Sequence, residues 1–384
     1  MTLWRLCHHI QEDKMEDYNN RYARHYSLKG FGHQGQQKLA DSRVLVIGAG
    51  GLGCPVLQYL AAAGVGIIGV ADDDVVSLSN LQRQVLYNTE DTGRAKASVA
   101  GLKLQQLNPD IIINSYKMAV NSSNALGLIT DYDVIIDCTD NFAARYLIND
   151  ACVLLNKTLI FGAVYQYEGQ VAVFNVTDAN GNKTNYRNLF ATPPDPLEVA
   201  DCNEAGVLGV LPGMIGIMQA TEAVKLITGI GEALINKLLT FSILDYSSFV
   251  IDVTSDEKAD CYIPKSESEF KATDYNWLCG LGVAGIDGLE PNDFLNKMNN
   301  QDTIVIDVRE ADEHPKAGFP NVNIPLTVLS NTIPHIEEHN IILFCGSGKR
   351  SLKAGQMFME KFGGLKKVSH LKGGILALKE NING

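Results

Sequence analysis

The stretch that decides the fold runs from Arg43 to Arg83 and reads RVLVIGAGGLGCPVLQYLAAAGVGIIGVADDDVVSLSNLQR. An apolar run opens it, a glycine-rich turn and an apolar helix-like segment follow, and a second apolar run ends in three acids. The glycines, in G-x-G-x-x-G spacing, are Gly48, Gly50 and Gly53. Such glycines let the backbone approach phosphates, and an acid after the second strand can bind a ribose hydroxyl. The pattern predicts a nucleotide-binding β-α-β unit, with Asp72, Asp73 and Asp74 at the end of its second strand.

Two cations downstream of the acids point to a triphosphate. Arg83 ends the stretch, and Lys96 follows in the segment GRAK. A dinucleotide has two phosphate charges, which backbone N–H groups can largely satisfy, whereas a triphosphate needs fixed cations and usually a metal ion. The alternative is that both side chains lie on solvated faces, as most Arg and Lys do.

Length and composition restrict the class of protein. The chain has 384 residues, 46% of them hydrophobic, which suggests at least two domains with sizeable cores. Its net charge of −12 argues against a general nucleic-acid or anionic-membrane surface. No apolar run approaches the ~20 residues of a membrane span, and no signal-peptide core is present. The eight cysteines are scattered, so we expect free thiols and a cytoplasmic, reducing location.

A third element of the predicted nucleotide site is the segment DCTDN, which ends at Asn141 and follows an apolar run. Ligands of open α/β sheets bind at the carboxyl ends of the strands. Asp140 is therefore a candidate for metal or nucleotide contact, and Asn141 is assigned to the same site. The alternative for Asp140 is a helix cap before Phe142.

A cysteine loop near the end of the chain predicts a second kind of chemistry. Cys345 directly follows an apolar strand and precedes a predicted helix. Glycines allow the loop to curl with its N–H groups inward, and such a nest with a nearby cation stabilises an anion. A phosphatase-like loop would use the same physics, and an inert cysteine is the other alternative. The predicted loop residues are Cys345, Gly346, Ser347, Gly348, Lys349 and Arg350.

Composition divides the chain into four parts. Residues 1–17 form a polar extension, and residues 18–253 form the first domain. Residues 254–284 are charged and poor in large aliphatic side chains, as a linker would be. Residues 285–384 form the second domain.

The motifs of the first domain resemble the MoeB/ThiF family, relatives of ubiquitin-activating enzymes. The resemblance rests on GAGGLG, DDDVVSLSNLQRQ, GRAKA, DCTDN and CNEAGVLGVLPG. The second domain resembles rhodanese-type sulfurtransferases through DVRE, NIPL, CGSGKRS and LKGGI. The resemblance implies an α/β chain, with a Rossmann-like ATP-binding domain on a mostly parallel sheet followed by a smaller rhodanese-like domain.

The same resemblance implies an activity, cofactors and partners. Such enzymes use ATP and Mg²⁺ to adenylate the C-terminal Gly-Gly of a small ubiquitin-like sulfur carrier (MoaD/ThiS-like). A rhodanese persulfide, loaded by a cysteine desulfurase or another donor, then supplies sulfur for a thiocarboxylate. Molybdopterin synthesis, thiamin synthesis and another thiolation pathway all remain open. A homodimer without nucleic-acid or membrane partners is expected.

The resemblance also assigns roles to individual residues. Asp72 would hold the ribose, and Asp140 would lie by Mg²⁺ and the α-phosphate. Arg24 matches an arginine that reaches the ATP site of the neighbouring subunit. Cys202 matches a cysteine that can attack the activated carrier, although a small residue capping the next segment is equally compatible. The residues expected against the nucleotide are Gly50 and Gly51, and those expected at the phosphates are Asn80, Arg83 and Lys96.

One departure from the family concerns zinc. The family usually holds a structural zinc with two Cys-x-x-Cys pairs. Here Asn185 and Asn188 occupy the first pair, and Cys261 and Pro264 the second. Amide side chains are poor zinc ligands beside thiolates, so we expect no zinc.

Three rival functions remain at this point. An NAD-dependent oxidoreductase would explain the glycines and Asp72 but neither Arg83, Lys96 nor the Cys345 loop. A non-enzymatic module that binds a ubiquitin-like partner would not need the intact nucleotide motifs. A tRNA-modifying relative of the same fold fits the acidic charge and the second domain poorly.

Overall fold

The computed structural model describes residues 20–193, 206–275, 286–330 and 332–382. These residues form two compact units. The larger comprises the described residues up to Thr192 and those from Gly206 to Thr273, and the smaller comprises those from Asp274 on. Each unit is built around its own sheet.

The larger unit contains an eight-stranded sheet in the order β3-β2-β1-β4-β5-β6-β7-β8. The first five strands of this order are parallel, and the last three pair antiparallel. In the register, Ile47 lies opposite both Ala71 and Asp137, so three strands end together. The strands are β1 Arg43–Ile47, β2 Ile67–Ala71, β3 Ile112–Tyr116, β4 Val134–Asp137, β5 Thr158–Tyr165, β6 Glu168–Phe174, β7 Lys237–Ser242 and β8 Ser248–Asp252.

Helices cover this sheet, and the glycine-rich turn sets how one of them starts. An added Cβ on Gly53 would lie 1.9 Å from the Gly48 carbonyl oxygen, so only glycine permits this helix–strand approach. The same helix ends at Gly64, whose φ of 84° is the left-handed cap that glycine favours. The helices of the unit are α1 Ala23–Tyr26, α2 Gly32–Asp41, α3 Gly53–Ala63, α4 Lys96–Leu107, α5 Ala125–Thr130, α6 Phe142–Leu154, α7 Val210–Thr228, α8 Glu257–Asp260 and α9 Glu267–Ala272.

Among the described residues, α7 alone is long and apolar enough to cross a membrane by length and composition. The sequence-based expectation that no apolar run approaches that length therefore misses this helix. Its contacts are those of a core helix. Leu211 and Ile215 are fully buried in the main hydrophobic core, and Gln219 donates from Nε2 to the Asp137 carbonyl oxygen at 2.7 Å.

The smaller unit has a five-stranded, all-parallel sheet in the order β11-β10-β12-β13-β9. Buried apolar side chains lie on both of its faces, as expected for a parallel sheet covered by helices. Its strands are β9 Ile286–Leu289, β10 Thr303–Asp307, β11 Val322–Asn323, β12 Asn340–Phe344 and β13 Lys367–Leu371. Its helices are α10 Pro291–Lys297, α11 Leu326–Leu329, α12 Lys349–Phe362 and α13 Gly374–Ile382. Both sheets confirm the predicted α/β class.

The segment expected to be a linker, residues 254–284, begins with folded structure. Helices α8 and α9 lie in it, and the larger unit extends to Thr273. Asp256 and Ser266 cap the two helices, and Ala259 and Phe270 are buried. The charged composition did not predict these two short helices, because each of them buries only one apolar side chain. Residues 254–273 are therefore part of the larger unit and differ from the predicted linker.

A hydrogen-bonded clasp joins α8 to the turn at Asn185–Asn188. The Asn185 Nδ2 donates to Asp260 Oδ1 at 2.8 Å, and the Asn188 Nδ2 reaches the same oxygen at 3.3 Å. These asparagines occupy the positions where a zinc-binding cysteine pair was considered. The clasp therefore links two segments more than seventy residues apart in sequence through amide–carboxylate bonds.

We expect Asp260→Ala to lower stability by about 1–3 kcal/mol, because it removes two hydrogen bonds to a charged group. Thermal unfolding followed by circular dichroism measures the effect, with the exposed Glu257→Ala in the same helix as the matched control. The wild-type melting temperature should not change after dialysis against EDTA. Stoichiometric zinc that EDTA removes with loss of stability would contradict the clasp's role.

Candidate active site

The glycine-rich turn is fixed through Ala49. Its N–H donates to Asp72 Oδ2 at 2.7 Å, and its carbonyl oxygen accepts a hydrogen bond from the Tyr87 hydroxyl at 2.9 Å. The same hydroxyl lies 3.4 Å from the Lys96 carbonyl oxygen. Tyr87 is buried, so its hydroxyl joins the glycine turn to the first turn of α4. The turn is thus held from both sides before any ligand binds.

Asp72 lies at the end of β2, where the sequence predicts the ribose acid. Burial raises the pKa of its carboxyl group, and hydrogen bonds from the Ala49 and Asp74 N–H groups oppose that rise. A carboxylate has about four lone-pair sites, so acceptor capacity remains for a ribose hydroxyl. Asp72 therefore both orients the turn and keeps the capacity to accept a ligand hydroxyl.

The two predicted phosphate cations lie beside this turn. Arg83 donates from Nη2 to Asn80 Oδ1 at 3.1 Å, and its Cδ is 3.5 Å from where a Cβ on Gly51 would lie. Lys96 donates from Nζ to Asp74 Oδ2 at 2.6 Å, and its side chain is 6% exposed. Arg83, Asn80 and the glycine turn therefore lie together, as predicted.

Asp140 and Asn141 differ in what they do. Asp140 is exposed after the end of β4. Asn141 caps α6, since its side-chain oxygen accepts the Ala144 N–H at 2.9 Å. The alternative that Asp140 is the helix cap is wrong, because Asn141 takes that role. The Asn141 side-chain oxygen is correspondingly committed to the helix.

Two residues of this region were not assigned from sequence. Tyr87 carries no motif of its own, and its role depends on a contact with a residue 38 positions earlier. Gln84 is buried, its Nε2 is 3.6 Å from a Cβ position on Gly50, and its Oε1 has no hydrogen-bond partner within the described residues. The sequence around these residues, NLQRQVLY, indicates neither contact.

Two predicted residues are not brought into this site by the described structure. Arg24 is exposed on the short helix α1. Cys202 lies outside the described residues, so its assignment stays a prediction.

The cysteine loop presents a backbone donor to the Cys345 sulfur. Cys345 is buried at the end of β12, and the Gly348 N–H donates to its Sγ at 3.1 Å. Gly348 has a φ of 96°, which a side chain would strain, and it is the N-cap of α12. The Ser351 hydroxyl donates to the Gly348 carbonyl oxygen at 3.0 Å and so fixes the turn. A positive helix end and an inward N–H thus face sulfur.

Arg350 forms an ion pair with Glu313 that was not predicted from the sequence. Its Nη1 and Nη2 donate to the Glu313 carboxylate at 2.5 and 2.7 Å. Hydrogen bonds from Arg350 hold the pKa of Glu313 at about 2. Glu313 is therefore ionised at neutral pH and cannot donate a proton, whereas a phosphatase loop needs a general acid for its leaving group. Glu313 is therefore not the general acid that a phosphatase would need at this loop.

The residues present fit ATP with Mg²⁺. The Gly50 position is open, since an added Cβ would meet only a side-chain nitrogen at 3.6 Å, so backbone and phosphate can approach closely. Arg83 and Lys96 supply two positive charges nearby. Asp140 is an exposed carboxylate at the same sheet edge, and carboxylate oxygen is the ligand type that Mg²⁺ prefers.

Family models match almost the whole chain. The ThiF family model matches residues 22–263, and the rhodanese-like domain model matches residues 290–381. The fold and these matches define a protein with a larger ThiF-type α/β domain followed by a smaller rhodanese-like domain. The chain belongs to the ThiF family and carries a C-terminal rhodanese-like domain.

Individual relatives agree with this. The chain is 39% identical to the probable adenylyltransferase/sulfurtransferase MoeZ of Mycobacterium tuberculosis, over 93% of this chain and 92% of that protein. It is 47% identical to the sulfur carrier protein adenylyltransferase of Thermus thermophilus, over 68% of this chain and 97% of that protein. Escherichia coli MccB bound to MccA-N7isoASN shares the fold, with a TM-score of 0.55 and 21% identity over 65% of this chain and 75% of that one. The protein is an adenylyltransferase with a sulfurtransferase domain.

Replacement of either cation should slow adenylation. We expect Arg83→Ala or Lys96→Ala to reduce carrier-dependent ATP–pyrophosphate exchange on the order of a hundredfold, because each removes a charge from the phosphate site. The matched control is Arg43→Ala, an exposed arginine at the opposite end of β1. Exchange at the wild-type rate in both variants would refute the phosphate assignment.

Proposed function

We propose that this protein adenylates the C-terminal glycine of a small ubiquitin-like sulfur carrier and then transfers sulfur to it from a persulfide on Cys345. One observation carries the proposal: the chain combines a cation-lined nucleotide turn with a cysteine loop whose N–H points at sulfur. The carrier would be MoaD/ThiS-like. Molybdopterin synthesis, thiamin synthesis and thiolation of another acceptor are all compatible with this chemistry.

The first step joins the carrier to AMP. A carboxylate oxygen of the carrier attacks the α-phosphorus of ATP, the bond to the bridging oxygen breaks, and pyrophosphate leaves. A C-terminal carboxyl group has a pKa of about 3.5, so it is ionised at neutral pH and needs no general base. The protein therefore contributes position and charge. Asp72 would hold the ribose, Arg83 and Lys96 would balance phosphate charge, and Asp140 would hold the Mg²⁺ that screens that charge.

The second step replaces oxygen by sulfur. The terminal persulfide sulfur on Cys345 attacks the acyl carbon, and AMP leaves, which gives an acyl disulfide between the carrier and Cys345. A second thiolate then attacks the cysteine sulfur, so that the thiocarboxylate leaves and a disulfide forms. A cellular thiol would supply this thiolate, and a second one would reduce the resulting disulfide. Cys202 keeps the role that the resemblance gives it, attack on the activated carrier. The Gly348 N–H and the α12 helix end favour the persulfide anion.

The remaining expectations belong to the same proposal. A cysteine desulfurase or another persulfide donor would load Cys345. A homodimer would bring Arg24 to the ATP site of the neighbouring subunit. We infer a cytoplasmic location, since reactive persulfide and free thiols persist in a reducing compartment.

Cys345→Ser should separate the two activities. We expect this variant to lose sulfur transfer from thiosulfate or a desulfurase, because no persulfide can form. Carrier-dependent ATP–pyrophosphate exchange should stay at the wild-type rate, since the nucleotide residues are untouched. The matched control is Cys261→Ser, a free exposed cysteine in the larger unit.

Two results would contradict the proposal. Normal thiocarboxylate formation by Cys345→Ser with the persulfide donor would show that sulfur does not pass through this residue. Loss of exchange together with sulfur transfer would show that adenylation depends on the sulfur loop.

A further inference from the structure

The larger unit contains a buried arginine whose guanidinium is incompletely satisfied. Arg145 is 8% exposed, and its Nε donates to no acceptor among the described residues. A buried cation that lacks hydrogen bonds is costly, because it has lost water without a full replacement. In a protein that acts on an anionic substrate, such a residue is a candidate binding group for that substrate.

Aromatic rings hold this guanidinium in place. Its Cζ lies 5.3 Å from the ring centre of Phe142 and 5.7 Å from that of Phe161. These contacts are attractive but occupy ring faces, and they do not accept the N–H groups in the guanidinium plane. The guanidinium therefore keeps a planar fork of donors, the arrangement that binds a carboxylate with two parallel bonds.

Asp137, the acid that interacts electrostatically with Arg145, accepts no hydrogen bond from it within the described structure. The positive charge of Arg145 lowers the pKa of Asp137, although burial raises it more. Asp137 Oδ1 accepts both the backbone N–H and the hydroxyl of Thr139, at 2.9 and 2.7 Å. Asp137 therefore acts on the guanidinium through its charge, while its Oδ1 is committed to the turn after β4.

Arg145 lies at the sheet edge that also carries the predicted nucleotide site. It is the fourth residue of α6, four residues after the cap Asn141 and five after Asp140. Phe161 stands opposite Asp137 in the β4–β5 register, so the guanidinium lies at the carboxyl end of β4. This end of β4 is level with the end of β1, from which the glycine turn starts.

We propose that Arg145 binds the C-terminal carboxylate of the carrier before it attacks ATP. The inference rests on the proposed function and adds the residue that recognises the carboxylate. Arg83 is hydrogen-bonded to Asn80 and Lys96 is paired with Asp74, so Arg145 supplies a further cation for a second anion. A carboxylate and a triphosphate repel each other, and a fixed buried cation beside two aromatic rings offsets that repulsion. Because a Gly-Gly terminus carries no side chains, it is narrow enough to reach a buried arginine.

The test compares a carrier with its C-terminal carboxylate and the same carrier with a C-terminal carboxamide. The carrier is one that the wild-type enzyme adenylates in ATP–pyrophosphate exchange, and binding is measured by calorimetry on the full chain. The wild type should bind the carboxylate form about tenfold to a hundredfold more tightly than the carboxamide form. Arg145→Gln should bind both forms about equally, within roughly twofold. Arg145→Lys, which keeps the charge and loses the fork, should discriminate to an intermediate degree.

The controls separate recognition from a structural role. Arg43→Gln removes another arginine that lies over a tyrosine ring, at 5.9 Å, and should discriminate as the wild type does. ATP affinity should be unchanged in Arg145→Gln. If Arg145→Gln does not fold, Arg145→Lys decides, and wild-type discrimination in it overturns the proposal. Undiminished discrimination in a folded Arg145→Gln also overturns it. If no carrier supports exchange by the wild type, the proposed function fails, and this inference fails with it.

Discussion

The larger unit depends on one constraint, the parallel register that ends β1, β2 and β4 at the same level. Ile47 lies opposite Ala71 on one side and Asp137 on the other. The next residues of these strands are therefore neighbours at the sheet edge, although they come from three separate parts of the sequence. This register brings the glycine turn, the acid Asp72 and the segment that carries Asp140 to a single edge.

The turn between β1 and α3 then requires close backbone approach. A Cβ on Gly53 would collide with the Gly48 carbonyl oxygen, and a Cβ on Gly48 would lie 2.6 Å from the Cys138 carbonyl oxygen. The hydrogen bonds of Ala49 to Asp72 and Tyr87 convert this close packing into one defined conformation. In the proposed reaction, a turn that is already ordered would need no reorganisation when phosphate approaches it.

Local patterns in the sequence predict the parts of the site that depend on neighbouring residues. The β-α-β unit, the acid after β2 and the cysteine after β12 all follow from apolar runs, glycines and their spacing. The contacts missed by sequence reasoning join distant positions. Tyr87 reaches Ala49 across 38 residues, Arg350 reaches Glu313 across 37, and Asn185 reaches Asp260 across 75. Short helices in the predicted linker were missed because a single buried side chain, such as Phe270, leaves no periodic pattern.

The central claim is that the nucleotide turn activates a carboxylate which the cysteine loop then converts to a thiocarboxylate. Mass spectrometry of the carrier C-terminus, after incubation with the enzyme, ATP, Mg²⁺ and a persulfide donor, tests it most directly. The account predicts a mass increase equal to the replacement of one oxygen by sulfur, and no increase when ATP is omitted. An unchanged carrier in the complete reaction, or sulfur incorporation without ATP, would contradict it.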